Sequence, residues 1–77
     1  MPIDFTKHAL ERIKARNIDK QEVVDTLKNP DKIIKKSGLN IAQKISAHQL
    51  LRVFYREEKD TKTIITAYKA SDYKRYL

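Results

Sequence analysis

No cysteine occurs among the 77 residues of this chain. Disulfides, thiolate-bound zinc and a thiol nucleophile are therefore excluded. Glycine occurs once and proline twice. One glycine cannot build a phosphate-cradling loop, and so little of either residue implies regular elements joined by short turns. The two histidines, His8 and His48, are too few for a histidine-rich metal site, and no acidic pair stands beside either at ligand spacing. No metal and no cofactor are expected. No apolar run reaches the length of a membrane span and the N-terminus has no signal-peptide core. The expectation is a soluble, cytoplasmic protein without a membrane partner.

What is present is one small domain, residues 1–77, with strong positive charge. Apolar residues make up 40% and charged residues 35% of the chain, and the apolar ones are spread along it, unlike a disordered composition. Seventeen Lys and Arg against ten Asp and Glu give a net charge of +7. On so small a body that field attracts polyanions, RNA or an acidic protein among them.

The first half has helical spacing. Thr6 is placed to cap a helix over 7–16 whose apolar stripe is Ala9, Leu10 and Ile13. Asn17 and Ile18 break it. Asp19 and Glu22 have the spacing of a capping box, opening a second helix over 20–28 that buries Val23, Val24 and Leu27 and stops at Asn29-Pro30. The second half has period two, with strands predicted over 32–36, 39–46, 51–57 and 63–69. The joints are short, so the strands form an antiparallel meander. The tail, 70–77, reads as a short helix or an edge segment.

Centring the last turn on Asp60 pairs Val53 with Ala67, Tyr55 with Ile65, Arg52 with Tyr68, Phe54 with Thr66 and Arg56 with Ile64. Centring the preceding turn on His48 puts Ile41 and Ile45 beside Leu51 and Tyr55. The predicted fold is α+β, with two N-terminal helices on one face of a four-stranded antiparallel sheet. The opposite face then carries Lys44, Arg52, Phe54, Arg56 and Tyr68.

Two constellations carry chemistry. His8, Arg12 and Arg16 recur every four residues and share a helix face. Guanidinium groups grip phosphate and an imidazole moves protons near neutral pH; the same spacing also suits a solvated basic face. Basic groups interleaved with aromatics at Arg52, Phe54, Arg56 and Tyr68 suit single-stranded RNA, and the pattern fits an ordinary polar sheet face as well. Tyr73, Lys74, Arg75 and Tyr76 crowd the C-terminus; the pattern suits an extension of the same RNA-contacting edge, and equally a tail whose tyrosines dock on the core.

His8-Ala9-x-x-Arg12, Arg16-x-Ile18, Leu51-Arg52-Val53-x-Tyr55, Ile64-Ile65-Thr66-x-Tyr68 and Lys74-x-Tyr76 together follow a pattern. The chain resembles, over nearly its whole length, the RelE/ParE-like toxins, in particular a small RelE-like group similar to BrnT-type toxins. The resemblance implies a RelE-like fold and the toxin half of a toxin–antitoxin pair. It also implies a metal-independent endoribonuclease acting on RNA, including ribosome-bound mRNA, and an acidic antitoxin as protein partner. In that chemistry the ribose 2′-hydroxyl attacks the adjacent phosphorus, with His8 or Tyr68 moving protons and Arg12, Arg52 and Arg56 stabilising charge. His8, Arg12, Arg52 and Tyr68 are the expected catalytic residues. Lys44, Phe54, Arg56, Lys74 and Tyr76 are the expected RNA contacts. A non-catalytic RNA- or protein-binding module on the same fold is the alternative.

Overall fold

The structure, a computed structural model, describes residues 2–46 and 48–71. In chain order the elements are β1 (Ile3–Phe5), α1 (Lys7–Ala15), α2 (Lys20–Lys28), β2 (Lys32–Lys36), β3 (Leu39–Ser46), β4 (Gln49–Glu58) and β5 (Thr61–Ala70). Among the described residues no helix is long and apolar enough to cross a membrane.

Local chemistry sets the helix ends. Thr6 has extended backbone, and its Oγ1 accepts a hydrogen bond from the Ala9 amide while donating to the Ile64 carbonyl, each at 3.0 Å. One side chain thus caps α1 and ties it to β5. Asn17, at φ 56°, turns the chain out of α1; asparagine tolerates that left-handed region better than most residues. Asp19 caps α2 by accepting from the Gln21 amide at 3.0 Å. The expected capping box is only half formed. The Glu22 carboxylate turns away from the cap and pairs with Lys69 at 3.1 Å.

The four-stranded antiparallel sheet is corrected by a fifth strand. The sheet is mixed, in the order β1-β5-β4-β3-β2, and β1 runs parallel to β5, with Ile3 beside Lys62 and Phe5 beside Ile64. Three residues are too few to show a period. Their partners lie some sixty positions further along the chain, so nothing local announces the pairing. The α+β class with two helices on one side remains.

The predicted β4–β5 register holds at Arg52–Tyr68, Val53–Ala67 and Phe54–Thr66, then shifts at a bulge, after which Tyr55 faces Ile64 and Arg56 faces Thr63. A bulge sets two residues against one, which is how Ile65 leaves the ladder. The β3–β4 register is one residue off. The turn is tighter than predicted, with Ser46 opposite Gln49, Ile45 opposite Leu50 and Ile41 opposite Phe54. Because side chains alternate, this slip moves a whole strand's pattern to the other face. Lys44, opposite Leu51, goes to the helix side, while Ile41 and Ile45 go to the far side.

The main core lies between helices and sheet. Ala9, Ile13, Ile18, Val23 and Leu27 pack on Ala42, Leu51, Val53, Tyr55, Ile64 and Ala67, with Ile3 and Phe5 against the margin. Leu10 departs from the expected stripe and is 38% exposed. Val53 and Tyr55 are buried beneath the helices, as their alternation predicts, while Arg52 and Arg56 point to the far face.

Candidate nucleic-acid interface

On the far face a single row crosses four strands: Lys32 of β2, Gln43 of β3, Arg52 of β4 and Tyr68 of β5. The next row holds Ile34, Ile41, Phe54 and Thr66. Period-two alternation places all eight side chains on this side.

Arg52 is the centre of the arrangement. It is only 9% exposed. Its Nε donates to Gln43 Oε1 at 2.7 Å, and its Nη1 donates to the Tyr68 hydroxyl. The guanidinium carbon lies 5.3 Å from the Phe54 ring centroid and 5.6 Å from that of Tyr68. Those two half-buried rings stack on each other, with centroids 5.8 Å apart and planes 23° from parallel. A guanidinium over an aromatic face is attracted by the ring quadrupole, and Arg suits this better than Lys because its planar fork stacks and hydrogen-bonds at once. The group is a rigid polar–aromatic cluster. Arg52 is built into the sheet as its organiser, and Gln43, fully buried, is the acceptor that orients it. Gln43 escaped the sequence analysis because the register placed it on the wrong face; a two-residue turn at 47–48 would have put it opposite Arg52.

The other expected residues scatter. His8 and Arg12 meet on exposed α1, where Arg12 Nε donates to His8 Nε2 at 3.1 Å. That places them on the helix side, with the sheet between them and the Arg52 cluster. Arg16, the C-cap of α1, reaches the sheet instead. Its Nη1 donates to the Ala67 carbonyl at 2.8 Å and to Thr66 Oγ1 at 3.3 Å, at the β5 edge beyond the end of β1. Arg56 is exposed on the far face, two residues along from Phe54, and Lys32 and Lys36 are exposed at the β2 margin. Lys44 belongs to the helix side. Lys74 and Tyr76 lie outside the described residues. Among the described residues no three of His, Asp and Glu gather closely enough to hold a metal ion.

Among the described residues, the clear electrostatic displacement is elsewhere. Burial raises the Tyr55 phenol above its ordinary pKa of 10.0, with the neighbouring Glu57 charge adding to it. It sits on the helix side, and Lys62 Nζ lies 5.5 Å from its ring centroid.

No curated protein and no solved structure matches the chain. A family model does, over residues 5–69, a span that takes in the helices, the Gln43–Arg52–Tyr68 row and the aromatic stack, and by it the chain belongs to the family described as domain of unknown function DUF4258.

Proposed function

We propose that this protein binds single-stranded RNA through the sheet face opposite the helices, as a module without catalysis of its own. The observation that carries the reading is the Arg52 cluster. One guanidinium, held by Gln43, lies against both Phe54 and Tyr68 and bonds the tyrosine hydroxyl. Such a cluster is a preformed platform: bases stack on aromatic surface at about 1–3 kcal/mol each, with little regard to sequence. Exposed cations at Lys32, Lys36 and Arg56 on the same face meet the phosphates, and the net charge of +7 draws the strand in. The scatter of the expected catalytic residues supports binding over cleavage. A proton-transfer group must come within hydrogen-bond reach of the reacting atom, and His8 stands across the sheet from Arg52.

The test is fluorescence anisotropy of a labelled octauridylate against the protein at about 50 and about 200 mM salt, where phosphate contacts make affinity fall steeply. Wild type binds at low salt and weakens strongly at high salt, and Phe54→Ala loses roughly 5–100-fold while remaining folded. An octauridylate that does not bind at low salt, or a Phe54→Ala variant that binds like wild type, removes the reading. A purified acidic protein that binds the same face in place of RNA makes this a protein-binding module.

A second reading, a toxin-type endoribonuclease, has one observation in its favour: the Tyr68 hydroxyl and the Arg52 guanidinium are already paired, as a proton donor and a charge-stabilising cation would be. It needs no help from His8 or Arg12. Cleavage of the same RNA by wild type, lost in Tyr68→Phe, establishes it.

A further inference from the structure

Resting on the RNA-binding reading, we infer that the bound strand crosses the sheet at a steep angle to the β-strands, from Lys32 at the β2 edge, over Arg52 and Tyr68, to Arg16 at the β5 edge, and that Arg16 holds a phosphate there.

Three observations converge on this path. The first is the register, which aligns Lys32, Gln43, Arg52 and Tyr68 in one cross-strand row. The second is the position of Arg16. It comes from the end of α1, yet its Nη1 is fixed on Ala67 and Thr66, one and two residues before Tyr68. Arg16 is exposed. A guanidinium has five N–H donors in a fixed fork, and both of these bonds run through Nη1, so the cation is anchored at the end of the row. The third is the distribution of acids. Following β4 lengthwise on this face, the side chains run Leu50, Arg52, Phe54, Arg56 and Glu58. That route is apolar at one end and meets a carboxylate at the other. The crosswise route passes none. Asp31, next to Lys32, is turned to the backbone, where its Oδ2 accepts from the Ile45 amide at 2.8 Å.

The path sets a site size. Three inter-strand steps of about 4.8 Å take it from β2 to β5, and the Arg16 guanidinium beyond the β5 edge adds about one more such spacing, roughly 20 Å in all. That length takes about four nucleotides, near the low end for a single-stranded site on a small β-domain.

The experiment uses the full chain and labelled oligouridylates, with affinity measured across a salt series and a melting curve for each variant. Arg16→Gln and Lys32→Gln each weaken octauridylate binding about 3–10-fold and reduce the salt slope by roughly 0.7, the value for one lost phosphate contact on a single strand. Arg16→Lys keeps the slope, because the charge remains. Arg56→Gln costs less than either, and affinity stops rising at about four nucleotides. Two results overturn the path while leaving RNA binding intact. One is a larger loss in Arg56→Gln than in Arg16→Gln and Lys32→Gln. The other is an Arg16→Lys variant that loses as much affinity as Arg16→Gln while the salt slope of Arg16→Gln stays at the wild-type value, which reduces Arg16 to a clamp on the β5 edge. Wild type that binds no oligouridylate overturns the path and the RNA reading together.

Discussion

Gln43 and Arg52 are cross-strand partners, joined by a 2.7 Å hydrogen bond from Nε to Oε1 on the face that the helices do not cover. The pair puts a charged group in a nearly buried position and gives it an oriented acceptor. A buried charge left without such partners costs far more than one that is hydrogen-bonded.

Gln43→Leu keeps the approximate volume and removes the acceptor. It is expected to destabilise the fold by about 1.5–3 kcal/mol, the range for hydrogen bonds to charged groups. Urea unfolding checks it. A loss below about 0.5 kcal/mol shows that Gln43 does not anchor Arg52.

Ile64→Ala and Ile45→Ala separate the two faces. Ile64 is wholly buried between β1 and the helices, whereas Ile45 is 39% exposed. The first substitution should cost about 2–5 kcal/mol, a large part of the roughly 4–12 kcal/mol total expected for this length. The second should cost well under about 1 kcal/mol. Equal losses in thermal or urea unfolding would restore the register in which Ile45 joins the helix-side core.

Thr6 performs two tasks with one hydroxyl, capping α1 and bonding the Ile64 carbonyl. Thr6→Ala is expected to cost about 1–2 kcal/mol, and Thr6→Ser, which keeps the hydroxyl, a few tenths. The comparison is read from paired urea curves. A serine variant as unstable as the alanine one assigns the effect to the lost methyl group.

Tyr55 gives a pH dependence at the alkaline end. Its pKa is raised above 10.0 in the folded state, first by burial and second by Glu57. Folded protein therefore holds the proton more tightly than unfolded protein. The contribution is full below about pH 10 and is lost as pH rises through the folded pKa, because the unfolded state then binds fewer protons. Stability curves between pH 8 and 12 should fall less steeply above about pH 10 in Tyr55→Phe than in wild type. Glu57→Gln should keep most of the wild-type slope, since burial is the larger cause. A Tyr55→Phe curve parallel to wild type contradicts the assignment.

Much of the local structure was legible in the residues. Thr6 and Asp19 mark helix starts because capping is a contact of two or three residues. The β4 alternation placed Val53 inside and Arg52 outside because one buried face imposes period two. The Arg52, Phe54 and Tyr68 grouping followed from the same pattern. The β3–β4 register was not legible. Turns of two and three residues at 47–49 differ by one position, and Ile41 and Ile45 are apolar enough to suit either face. The bulge at Ile65 carried no glycine or proline to announce it.

By itself the sequence determined the two capped helices, the extent of β2 and β3, the inward face of β4 and the excess of positive charge, because each rests on neighbours a few residues apart. Only the tertiary structure decided that β1 joins β5, that Gln43 meets Arg52, that Arg16 reaches Ala67, and that His8 and Arg12 stand across the sheet from Tyr68. Those relationships depend on the hydrophobic packing of segments up to sixty positions apart. A helical spacing places His8, Arg12 and Arg16 on one face. It does not say which side of the sheet that face will adjoin, or that the last of the three will bond the edge of a distant strand.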